Sequence, residues 1–395
     1  MSKQSQHILL IVTFGLIANL TILYLLGERA NLYDANGYIK GADYLINHGS
    51  YEDFHHVFYG LHVAIIALGR LFFPDQIIQI IIFQIILSLF SMVALYQSIN
   101  KLFENKTAVL ISCLIFIFWW DCIHWNTTLM SESLFCSLTI FIVYILAHFQ
   151  GGKMDFVKLG ILLFAISFTR PTSLVILVGV IVFFPFYYKE PLKQLSVVRK
   201  TILSLSFILL SLLGAALMFQ KWDFTDAYIK GEVVTYMSTI PDSPLYKEEL
   251  HVPLKNTENE VMESELGIIR MAKFMVGHPG YFFTMALKKV YYLLSFQRPY
   301  YSVWHNTYSA IWLALIYGCF VIGYLKCSHS PIKAFVISVI VINCALIGMS
   351  TVDWDNRFFI PMEPGIVHFA GYGAYKFLAK LKCYINMKGY FNLLN

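Results

Sequence analysis

Five carboxylates stand within the stretch Glu28–Asp53 (Glu28, Asp34, Asp43, Glu52 and Asp53), against only Arg29 and Lys40. The residues ahead of it, His7–Leu26, are uncharged and numerous enough to cross a bilayer. A carboxylate just past the mouth of such a span is costly in lipid and tolerable in an aqueous cavity, which marks it for function. Asp34, in the phrase YDANGYIKGADYLINHG, is therefore the first candidate for chemistry. Its ordinary employment would be to cap a helix starting near Asn36, since Asp is a favoured N-cap.

Other candidates follow along the chain. Glu132 opens an apolar run in LMSESLF, where it either shares a pocket with Asp34 or simply answers a helix dipole. Arg170 lies between two apolar runs of about one helix each, so it needs an anion: a phosphate, or a structural carboxylate such as Glu132. Arg357 has Asp353, Asp355 and Glu363 near it in sequence, which favours a salt bridge over a ligand. His124 and Trp125 suit a membrane interface, where amphipathic rings are common, and His124 reads as a packing residue. Lys288 and Lys289 suit lipid phosphates or anionic headgroups. Asp53, His55 and His56 lack a recognisable ligand spacing, and no metal or other cofactor is expected.

These residues must be positioned by helices in a membrane. The chain of 395 residues is 58% hydrophobic and 13% charged, about half the charge of a soluble domain, with a mean hydropathy of +0.63. The fold class is all-α and polytopic, with about ten transmembrane helices. The expected spans are 7–26, 76–100, 107–120, 133–152, 159–169, 171–188, 201–220, 299–325, 334–352 and 358–375. His55–Phe73 and Tyr281–Phe296 are amphipathic and read as helices lying in the interface. Three regions result: 1–220, a transmembrane module with the first outer loop; 221–298, an extracytoplasmic loop region with its interfacial helix; and 299–395, the C-terminal spans.

Charge orients this set. With the N-terminus inside, every short loop predicted to be cytoplasmic is basic, from Lys101 and Lys106 through Lys189, Arg199 and Lys200 to Lys376, Lys380 and Lys382. Counting His55–Phe73 as a span would put those lysines outside. The first apolar run lacks a small-x-small cleavage site and reads as a retained span. The net charge of +5 falls mostly in these loops, and no nucleic-acid partner is implied. Seven cysteines without a CxxC pair, most of them in apolar runs, argue against a disulfide framework or zinc site. The Asp34 loop, Asp121–Glu132, Arg170, the long loop and Thr351–Pro364 then gather on one outer face.

In that order the motifs resemble the GT-C superfamily of integral-membrane glycosyltransferases, and look most like the aminoarabinose transferases and protein O-mannosyltransferases of glycosyltransferase family 39. The resemblance rests on Asp34, Tyr38 and Ala42 in the first outer loop, on Glu132, on Arg170-Pro171, and on Arg357, Phe358 and Pro361. It departs where relatives often read Asp-Glu, since Ala35 follows Asp34 here. The resemblance implies an enzyme of the inner (plasma) membrane with its site on the extracytoplasmic face and both termini cytoplasmic. Its donor would be a sugar on a polyprenyl phosphate, and its acceptor a lipid, glycan or protein of the cell envelope. Asp34 would be the general base, with Glu132 beside it, and Tyr38, His124, Arg170, Lys288 and Arg357 would line the substrate. Such a reaction needs a base and fixed positive charge more than a general acid, because a lipid phosphate leaves as a stable anion. Direct displacement inverts the anomeric centre. Two other readings stand beside it: a transporter or flippase of lipid-linked sugars, and a polysaccharide polymerase or ligase.

Overall fold

The computed structural model describes residues 3–29, 34–73, 77–189, 224–254 and 267–393. Among them the regular structure is helical, and β-pairing is confined to three isolated bridges. The chain is a polytopic helical membrane protein. Among the described residues four helices have the length and apolarity to cross a bilayer: Gln4–Leu26, Ile78–Phe103, Val303–Lys326 and Ser330–Met349. A fifth, Lys106–Phe118 with Trp120–Thr127, would cross only as a pair bent by 64°. The expected span at 201–220 lies outside the described residues.

The chain divides into two compact units. Unit 1 comprises Met1–Ser173, Ala314–Val336 and Ile360–Asn395. Its helices are α1 (Lys3–Leu26), α2 (Ala35–His48), α3 (Phe54–Phe58), α4 (Gly60–Phe72), α5 (Ile78–Phe103), α6 (Lys106–Phe118), α7 (Trp120–Ile123), α8 (Ser131–Ala147) and α9 (Lys153–Ser167). The start of α10 (Ser173–Tyr187) marks its boundary in the chain. The expected interfacial segment at 55–73 is α3 and α4, joined at Tyr59. Asp53 caps α3, its Oδ1 accepting from the His56 amide at 2.8 Å.

Unit 2 comprises Leu174–Leu313 and Ile337–Phe359. It holds α11 (Phe224–Ile229), α12 (Gly267–Gly277) and α13 (Pro279–Ser295), the last being the second expected interfacial helix. The long helices α14 (Val303–Lys326) and α15 (Ser330–Met349) each contribute to both units. Finally α16 (Glu363–Leu393) returns to unit 1, starting later than the expected 358–375 span because Arg357–Phe359 forms a 3-10 turn. Within unit 1, α16 packs on α6, and α5 on α8 and α1. Gly323 of α14 and Gly373 of α16 let two backbones meet: a Cβ on either would strike a carbonyl of the other helix.

Candidate functional site

Glu132 and Arg170 form a buried ion pair within unit 1. Glu132 lies in the first turn of α8, and its Oε1 is 2.5 Å from Arg170 Nη1. The side chains are 1% and 3% exposed, so the pair is sealed from bulk water. Of the two partners expected for Arg170, the structure supplies the carboxylate. A buried guanidinium and carboxylate in contact stabilise each other, and losing one leaves the other uncompensated.

The segment ahead of Glu132 holds this geometry. The helix breaks at Trp119 and, after the short α7, the α-helix is not resumed until Ser131, so backbone groups after His124 need partners from elsewhere. Gln84 Nε2 of α5 donates to the carbonyls of Thr128 (3.1 Å) and Trp125 (3.4 Å). Asn126 Nδ2 donates to Asn19 Oδ1 (2.9 Å) and Ser88 Oγ (3.0 Å), and Ser133 Oγ donates to Asn126 Oδ1 at 2.6 Å. The first loop joins in: the Arg29 amide donates to Thr127 O (3.2 Å), and the Leu129 amide to Arg29 O (3.0 Å). The loop leading to Asp34 is thereby tied to the segment that carries Glu132.

His62 of α4 completes the cluster. Its ring hydrogen-bonds the Leu129 backbone, and the side chain is buried. Burial, reinforced by the positive charge of Arg170, pushes the imidazole down to about 3 from its ordinary 6.5. Tyr38, from the expected set, is buried with its ring 5.0 Å from Tyr59 and 5.1 Å edge-on to His62. His124 Nδ1 lies 3.1 Å from Trp120 O and its ring 4.4 Å from Trp125, in agreement with the packing role.

Asp34 differs from its neighbours. It occupies the N-cap position of α2 with φ −81° and ψ 0°, yet its side chain makes no capping hydrogen bond and is exposed. The capping role expected from sequence is thus not taken up by the carboxylate. An exposed carboxylate at this position is chemically competent to accept a proton from a hydroxyl.

Two expected residues belong to unit 2. Lys288 Nζ donates to the Glu249 carbonyl at 2.6 Å. Arg357 Nε lies 2.8 Å from Asp353 Oδ2, so the salt bridge expected from sequence is formed. Beside them stand two further cations, of which sequence reasoning passed over Arg298. Arg298 is buried and donates to the carbonyls of Tyr292 (2.7 Å), Gln297 (2.8 Å) and Asp353 (3.0 Å). Lys289 donates to Ser350 O at 2.6 Å over the Tyr228 ring, and burial holds its amine well below the usual lysine range. A signal for Arg298 was present: Arg298-Pro299 is a second Arg-Pro pair, the feature that singled out Arg170.

A buried acid was also missed. Glu363 Oε2 accepts from the Cys136 thiol at 3.5 Å, and Cys122 adds a second thiol contact. With Asn126, Glu132 and Ser133 these residues line a cavity of about 10 Å³, enough for one water. Among the described residues, no group of three or more His, Cys, Asp or Glu is placed to hold a metal ion.

No protein-family model matches the sequence, and no curated protein matches it. Among solved structures, the chain is similar to the archaeal oligosaccharyltransferase AglB from Archaeoglobus fulgidus, solved in complex with an inhibitory peptide and a dolichol-phosphate. Identity is 12% and the TM-score 0.46, over 96% of this chain and 51% of that one. The chain thus spans about half the length of that protein. A likeness of this size carries no argument about activity.

Two outcomes follow from the buried cluster. Arg170→Ala should cost about 3–5 kcal/mol, because Glu132 is left charged and alone, whereas Glu132→Gln with Arg170→Met should recover most of the loss. Denaturant unfolding in detergent measures both, and equal losses in the single and double variants would dismiss the pair as an anchor. The second outcome concerns pH. The unfolded chain protonates His62 near 6.5 and the folded chain only near 3, so the contribution of the neutral ring is complete above about 6.5 and falls as pH drops towards 3. The slope approaches about 1.4 kcal/mol per pH unit in that window. A pH series of unfolding midpoints should show it, and His62→Gln should flatten it.

Proposed function

We propose that the protein is a membrane glycosyltransferase that moves a sugar from a polyprenyl-phosphate donor to an acceptor of the cell envelope, with inversion at the anomeric carbon. One observation carries this reading. Asp34 is an exposed carboxylate at the head of α2, on a loop tied by the Arg29 backbone to the segment bearing Glu132. Glu132, by contrast, is buried against Arg170.

The roles divide accordingly. Asp34 takes the proton of the acceptor hydroxyl as its oxygen attacks the anomeric carbon, and the bond to the lipid phosphate breaks with its electron pair staying on phosphate. Glu132 and Arg170 are positioning residues that hold the neighbouring segment. Tyr38 and His124 act in the same way, through packing. Within unit 2, Arg357 is oriented by Asp353, and Lys288 is held by the Glu249 carbonyl. The extracytoplasmic placement of the site and the cytoplasmic termini rest on the distribution of Lys and Arg in the loops. A transporter of lipid-linked sugars would also use a buried pair such as Glu132–Arg170, but it has no need of an exposed base.

Asp34→Asn preserves size and most hydrogen bonding while removing the proton acceptor. The variant should remain folded, because the side chain is exposed and Asn is nearly isosteric, and should bind donor normally. Transfer should fall by about 10²–10⁴-fold, the usual contribution of a general base. A variant transferring at the parental rate would end the assignment of Asp34.

A further inference from the structure

The helices α2 and α4 enclose an open cavity of about 280 Å³, lined by Asp43, Ile46, Asn47, Arg70 and Leu71. It lies close to the lower limit of small-ligand sites, about 300 Å³, and is sized for a headgroup rather than a whole lipid. Its polar wall is a two-point ion pair, with Arg70 Nε 2.7 Å from Asp43 Oδ1 and Nη2 3.3 Å from Oδ2. The side chains are 21% and 42% exposed, so both charges remain reachable from the cavity. The other wall runs onto an apolar ridge: Leu68, Leu71, Phe72 and Phe73 at the end of α4 are all exposed. Leu71 belongs to both wall and ridge. Four large exposed apolar residues beside a polar pocket suit an amphiphile, chains on the ridge and head in the pocket.

We propose that this cavity binds the headgroup of an ethanolamine phospholipid from the surrounding bilayer. The pair Asp43–Arg70 is neutral as a unit, which gives an anionic lipid little net attraction. A zwitterion instead finds a partner for each charge. The phosphate takes the part of the Arg70 fork that Asp43 leaves unused, since a guanidinium has more N–H donors than the pair consumes. The ammonium donates to the outward lone pairs of Asp43, and the Asn47 amide reaches the ester oxygens. A primary ammonium has N–H donors for Asp43, while a choline headgroup has none. The order of charges also matches the lipid, whose phosphate lies nearer the chains: Arg70 is next to Leu71 on α4, and Asp43 is across the cavity on α2. This site does not depend on the glycosyltransferase reading.

Native mass spectrometry of the detergent-purified full chain, titrated with chain-matched phosphatidylethanolamine, phosphatidylcholine and phosphatidylglycerol, tests the proposal. Phosphatidylethanolamine should bind about tenfold more tightly than either of the others, as one charge-assisted hydrogen bond would give. Asp43→Asn should remove the preference. The exchange Asp43→Arg with Arg70→Asp keeps an ion pair for folding but reverses its polarity, and should remove it too. Equal binding of the three lipids by the unaltered protein would overturn the site, whatever the variants do. So would a folded Asp43→Asn protein, checked by its unfolding midpoint, that retains the full preference.

Discussion

A helix that breaks inside an apolar bundle must find hydrogen bonds for the backbone it exposes, and this constraint organises unit 1. The helix breaks at Trp119, and after the short α7 a 3-10 turn and irregular backbone from His124 lead to Ser131, where unmet amides and carbonyls would each be expensive. Partners arrive from three directions: Gln84 from α5, His62 from α4, and the Arg29 backbone from beyond α1. Asn126 adds a side-chain network through Asn19, Ser88 and Ser133. Once that segment is held, Glu132 has one position, and Arg170 is placed by it. Arg29, just past α1, is brought to the same place because its backbone makes two of the missing bonds.

Unit 2 solves a similar problem with cations. Arg298 gathers carbonyls from the end of α13, from its own turn and from Asp353, while Tyr300 and Tyr301 donate to Trp354 O. The loop that presents Arg357 is thereby clamped at several points, and the Arg357–Asp353 pair orients the guanidinium. Lys289 does the same for Ser350. Buried positive charge serves here as a multi-donor fastener, which is cheap only because each donor has a carbonyl to meet.

Much of this was legible in the sequence. Apolar length located α1, α5, α14 and α15, and amphipathic spacing located α3, α4 and α13. The need of Arg170 for an anion followed from its apolar flanks, and three nearby carboxylates foretold the pairing of Arg357. Which anion Arg170 would take was not legible, because the choice depends on a contact between residues 38 positions apart (170 − 132), one in the first turn of α8 and the other in the turn between α9 and α10. Gln84 reads as one polar residue in an apolar helix, and only the break at Trp119 gives it a purpose. His62 lies in the segment His55–Phe73 that was read as an interfacial helix, whereas tertiary packing buries it near Arg170. Asp34 was expected to choose between capping and chemistry, and its lack of a capping bond appears only in the folded loop.

An exposed acid at the head of α2, apart from the buried Glu132–Arg170 pair, suits proton abstraction, and that is the heart of the functional reading. The most direct measurement is to incubate the purified protein with polyprenyl-phosphate sugars, labelled in the sugar, and a membrane extract, and to determine both the new carrier of the label and its anomeric configuration. The account predicts label covalently bound to a new acceptor, with the configuration inverted relative to the donor. Label that stays on the polyprenyl phosphate while changing leaflet in reconstituted vesicles would contradict it and make the protein a transporter.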